Sequence, residues 1–190
     1  MAFQMIGGHP ALDLVNTLDW RFRKEGPEDL LHSYDDLLRF TEQAELLTPE
    51  QTRRLRRTVN EGMGTRILKR CRGLREALAE MFYAPSAATL KTLGGYFKAA
   101  RMQQKLACKD SRLEWNWASM ESAELPLWVL ALSASALATS DAMNRVRECG
   151  NPECRWLFLD GSKNHTRRWC DMKVCGNRMK ARKFKAHKRN

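Results

Sequence analysis

Apolar residues recur at steps of three and four along most of the chain, a spacing that gathers them on one face of an α-helix. The first such stretch follows Gly7-Gly8-His9-Pro10, a breaker and then a proline suited to the first helical turn. Ala11, Leu12, Leu14, Val15 and Leu18 form its apolar stripe, while Asp13, Asn16, Thr17 and Trp20 fall at i, i+3, i+4 and i+7 on another face. A polar stripe of that kind faces solvent, bonds neighbouring backbone, or takes a small ligand. Those four residues are therefore the candidate ligand-binding set.

Beyond the Glu25-Gly26-Pro27 turn, Ser33 with Asp36 reads as a capping box, and Tyr34, Leu37, Leu38, Phe40, Ala44 and Leu47 carry a helix. Thr48-Pro49-Glu50-Gln51 opens another. From there Leu55, Val59, Met63, Ile67, Cys71, Leu74, Leu78 and Phe82 keep helical steps, predicting one long amphipathic helix with a kink available at Gly62 and Gly64. Ser86 starts a further helix through Leu90, Leu93, Phe97 and Met102. Leu106-Ala107-Cys108 and Leu113 to Trp117 predict a short hairpin with Trp115 and Trp117 on one face. Leu125 to Met143 returns to helix. Its apolar run, Leu125 to Ser140, is too short to span a bilayer and carries four hydroxyl residues, so no membrane segment is expected. The pattern predicts a mostly α protein with a small β-hairpin: a helical domain over 1–144, then a distinct module over 145–190.

That module is set by its cysteines. Cys149 and Cys154 form one Cys-x4-Cys pair, Cys170 and Cys175 another, fifteen residues apart. Two turns at this spacing can present four thiolates to one tetrahedral ion, and soft thiolates suit zinc. Four protein ligands leave no open position, so a single structural Zn2+ is expected. Two disulfides would use the same residues, but no secretory leader is read, and Cys71 and Cys108 look like core thiols. Arg145-Val146-Arg147 and Trp156 to Asp160 read as strands, with Arg167-Arg168-Trp169 as a return strand. The last cysteine pair opens a helix, which completes a treble-clef-like finger.

Charge adds a partner. The chain carries +11, and residues 145–190 hold 14 Lys or Arg against 4 Asp or Glu, a net of +10, while 1–144 hold 19 against 18. A basic patch confined to one module raises the local concentration of a polyanion. Arg178, Arg182, Lys185 and Arg189 fall at i, i+4, i+7 and i+11 of the final helix, a stripe whose mutual repulsion phosphates would relieve. With Lys163, Arg167 and Arg168 they are the candidate nucleic-acid-binding residues. Charge alone does not separate DNA from RNA or a ribosomal surface. No Gly-rich phosphate loop or nucleophile elbow is present, and an HNH nuclease lacks its metal-binding histidine on the final helix; no enzyme is expected.

Trp156-Leu157-Phe158, Arg167-Arg168-Trp169-Cys170 and Cys175-Gly176-Asn177-Arg178 together resemble the CGNR zinc finger family. Gly8-His9-Pro10-Ala11-Leu12-Asp13-Leu14-Val15-Asn16-Thr17 resembles the start of the ABATE domain that precedes that finger. The resemblance implies bacterial, cytoplasmic, stress-induced transcription regulators, in which the finger binds DNA and the N-terminal domain senses. It leaves the effector, the target sequence and a homodimer open.

Overall fold

A computed structural model describes residues 2–188. The chain forms two compact units: residues up to Leu30 fold with those from Thr139 onward, and Leu31–Ala138 makes the other. This division differs from the boundary at 144/145 drawn from sequence, because the first helix belongs to the unit that carries the cysteines.

Helix α1 (Pro10–Asn16) starts where expected, with Pro10 at its first position and His9 Nδ1 accepting from the Ala11 N–H at 3.2 Å. It ends four residues before Trp20. Thr17 Oγ1 donates to Leu14 O at 2.6 Å, and β1 (Leu18–Asp19) then pairs antiparallel with β2 (Glu28–Asp29). Trp20 has φ 50, a left-handed conformation outside any helix, so the predicted polar stripe is a helical face only as far as Thr17. Ala11 through Asn16 are all buried.

In the Leu31–Ala138 unit, α2 (Tyr34–Gln43) and α3 (Pro49–Thr58) both begin with the predicted capping boxes. The long helix is a correction: α3 stops at Thr58, Val59 is extended, and Asn60 Oδ1 accepts from the Met63 N–H at 2.9 Å to open α4 (Glu61–Tyr83). A β-branched residue followed by a strong cap breaks the helix before the glycines can bend it. Next come α5 (Ala87–Arg101), the hairpin of β3 (Gln104–Lys109) and β4 (Arg112–Trp117), and α6 (Leu125–Ala138). Helix α6 packs on α2, α4 and α5, and Leu125, Leu127, Leu130, Ala131, Ala134 and Leu137 bury nearly all of its circumference. It ends at Ala138, short of the expected Met143, and a 3-10 turn covers Asp141–Arg145. Among the described residues no helix is long and apolar enough to cross a membrane. Cys71 is a core thiol as expected, raised by burial, but Cys108 is exposed on the hairpin. Trp117 stacks on Trp128 with centroids 5.9 Å apart, whereas Trp115 stays 58% exposed.

The remainder of the first unit holds β5 (Val146–Glu148), β6 (Leu157–Leu159), a π-helical turn over Met172–Gly176, and α7 (Asn177–His187). Strand β6 pairs with β5 rather than with the predicted return strand. Residues 167–169 are irregular because buried Asp160 takes the Arg167 N–H at 3.0 Å and the Ser162 Oγ–H at 2.6 Å, closing the chain into a loop.

Candidate metal centre

The four finger cysteines are buried, unpaired in disulfides, and place their Sγ atoms within 4.8 Å of one another. Cys154 to Cys170 and Cys170 to Cys175 are both 3.7 Å apart. A tetrahedron with Zn–S bonds of about 2.3 Å has edges of about 3.8 Å, so the donor set fits zinc. The thiols also hold each other's protons. Hydrogen bonds with Cys154 and Cys170 pull Cys149 down, while hydrogen bonds with Cys149 push Cys154 and Cys170 up, and burial raises all three. A divalent cation lets all four ionise together. The four cysteines thus form a single zinc site that crosslinks two turns and leaves no position for substrate.

Both turns are built by backbone bonds that the sequence chemistry favours. In the first, Asn151 O accepts from Cys154 N and Arg155 N, each at 3.0 Å, and Asn151 Nδ2 donates to Cys175 Sγ at 3.5 Å. In the second, Asp171 Oδ1 accepts from Lys173 N and from Val174 N, the latter at 3.1 Å. Gly150 N donates to Arg168 O at 2.9 Å and ties one turn to the other. A Cβ on Gly176 would meet Met172 Sδ at 2.4 Å, and one on Gly150 would meet Trp169 Cζ3 at 3.2 Å; only glycine follows each of these cysteines without displacing a neighbour.

The small core around the metal draws on the N-terminal segment as well as the finger. Trp156 and Phe158 pack with the cysteines, and Ile6, Trp20 and Trp169 close over them. Leu159 N donates to Gly7 O at 2.8 Å. On α1, Asn16 pairs with both backbone groups of Leu157: its Nδ2 donates to the carbonyl and its Oδ1 accepts from the N–H, each at 2.9 Å. Asp13 Oδ1 accepts from Gly7 N at 2.7 Å. The polar stripe proposed for a ligand therefore consists of groups already bonded within this unit, with Trp20 in its core. The sequence places Asn16 in a polar stripe, but its partner lies 141 residues away.

Asp13 has a titration consequence. Burial pushes its carboxyl from 3.8 up to about 6, against N–H bonds from Gly7 and Ile6 that pull it down. Between those values the unfolded chain releases the proton and the folded chain keeps it, so stability falls as pH rises, by about 3 kcal/mol in full. Comparing Asp13→Asn with the parent in urea melts from pH 4 to 7 isolates the effect. The parent should lose stability relative to the variant across that window; parallel curves would refute it.

Residues 8–141 match the ABATE family, described as "Putative stress-induced transcription regulator", and residues 145–188 match the CGNR zinc finger. The chain belongs to the ABATE family. Comparison with curated proteins finds no match. The ABATE match and the finger match meet near residue 143, inside the unit that α1 shares with the cysteines.

On this ABATE protein's finger the predicted cations separate by what they touch. Lys163, Arg168, Arg178, Arg182 and Lys185 are exposed. Arg168 lies over Trp169 at 5.6 Å, Arg178 over Trp20 at 4.5 Å, and Arg182 pairs with Glu153 at 2.6 Å. Arg167 is half-buried: Nε donates to Trp169 O at 3.0 Å, the guanidinium also reaches Cys170 O, and it covers the Phe158 ring at 4.3 Å. That role in bracing the second turn was not foreseen. Arg189 lies outside the described residues.

Proposed function

We propose that this ABATE protein is a cytoplasmic bacterial transcription regulator of the stress response whose zinc finger grips DNA and whose helical unit senses a ligand or mediates self-association. The reading rests above all on α7: Arg178, Lys180, Arg182, Lys183 and Lys185 are exposed on a helix whose first turn follows directly from the zinc-held Cys175. A cationic helix anchored at one end by a metal is preorganised for a phosphate backbone. The role is binding rather than catalysis, since the four thiolates leave the zinc no open position. For the sensing part, a cleft of about 770 Å³ opens at the break between α3 and α4, lined by His32, Tyr34, Arg56, Asn60, Lys69 and Arg72 among others.

The test is anisotropy of the zinc-loaded chain with labelled duplex DNA and structured RNA at matched salt, after selection from a random DNA pool. Engagement of about six phosphates gives a log–log salt slope of about −5 on duplex DNA. Lys185→Ala should weaken all sequences alike and flatten the slope by about 1. Tighter binding to RNA at every salt concentration would replace DNA with RNA as the partner, and absence of both would end the reading.

A further inference from the structure

The segment Trp20-Arg21-Phe22-Arg23-Lys24 interleaves aromatics with cations, yet it lies in the half of the chain whose net charge is close to zero. Nothing in its local sequence ties it to the finger. In the folded unit two ring contacts do so. Arg178, the first arginine of α7, sits 4.5 Å from the centroid of Trp20, and Arg155, which follows the first cysteine turn, sits 3.9 Å from that of Phe22. The Arg23 guanidinium lies on the Trp20 ring as well, at 4.0 Å.

Two guanidiniums on one indole are like charges held close together. Neither Arg23 nor Arg178 forms an ion pair among the described residues, and Arg178 is exposed. Asp19 is close enough to feel Arg23, but its carboxylate takes the Trp20 N–H at 2.7 Å. Stacking on a ring fixes the plane of a guanidinium while leaving its N–H edge to donate, so less side-chain freedom is lost when an oxyanion arrives. Lys24, next along the chain and exposed, adds a further cation.

We propose that residues 20–24 belong to the nucleic-acid face, with Arg23 donating to a backbone phosphate beside the one met by Arg178. The inference rests on the nucleic-acid reading and extends it to a segment outside the finger. A face made from both ends of the chain is broader than α7 alone. It also makes the N-terminal segment a determinant of affinity.

The experiment is anisotropy of the zinc-loaded full chain on a labelled random-sequence DNA duplex across a salt series, for the parent, Arg23→Ala, Arg23→Gln, Arg23→Lys and Lys185→Ala, each checked for one zinc per chain. Loss of one phosphate contact should weaken Arg23→Ala and Arg23→Gln about eightfold at about 0.1 M salt and flatten the log–log slope by about 0.9. Arg23→Lys should restore most of the slope. The glutamine variant keeps a planar polar head, so it answers if the alanine variant sheds zinc. An unchanged slope in the zinc-loaded neutral variants, with Lys185→Ala flattened, would overturn this inference alone. A parent without salt-dependent binding would overturn the nucleic-acid reading with it.

Discussion

Cys170→Ser is expected to release the zinc and unfold the unit that holds it, including α1. Structural zinc contributes on the order of 10 kcal/mol of apparent folding free energy, more than the net stability of most single domains. The four Sγ atoms lie within 4.8 Å of one another, so a serine leaves three thiolates facing each other with one soft ligand fewer. Because Ile6 and Trp20 complete the core around the metal, protection from hydrogen exchange should vanish from residues 6–20 as well as from the finger. The Leu31–Ala138 unit has its own core on α6 and should keep its slow-exchanging amides. A variant that retains stoichiometric zinc, or loses zinc while α1 stays protected, contradicts this account of the unit.

Asn16→Ala should destabilise the same unit by about 3 kcal/mol. The substitution strands both the N–H and the carbonyl of Leu157 in a buried setting, and each unpaired group costs about 1–3 kcal/mol. Asn16 is 3% exposed, so water has little access to take over. Zinc affinity, measured by competition with a chromophoric chelator, should fall with it, since folding and metal capture are linked. Asn16→Asp should fare no better, because a carboxylate offers nothing to donate to the Leu157 carbonyl. Unchanged zinc affinity in Asn16→Ala would show that the two bonds contribute nothing net.

Much of this was legible where the signal was local. Both capping boxes, the α1 start at Pro10, the β3–β4 hairpin and the four zinc ligands are short-range patterns whose chemistry lies within a few residues. What could not be read depended on distant partners. The 3.6-residue period runs unbroken through Val59 and Asn60, and only the competition between a cap and helix continuation breaks it. The return strand failed because Asp160 recruits the following loop, a choice that hydrophobic alternation does not encode. Arg167 counts as one more cation in the sequence, and its bonds to the carbonyls of 169 and 170 appear only in the fold. The stripe of Asp13, Asn16 and Thr17 was visible as an anomaly, but a ligand and a strand edge ask for the same residue types.

The pairing of Asn16 with Leu157 also bears on how the molecule is made. A ribosome releases α1 well over a hundred residues before it releases β6, and the helix's inward face must wait, apolar and unsatisfied, until the opposite terminus arrives. The inserted Leu31–Ala138 unit can settle during that wait, whereas metal capture and closure of the other unit come last. The nascent chain is thus most vulnerable to proteases and self-association in that interval, which lasts at least until β6 is released and ends only when zinc is captured.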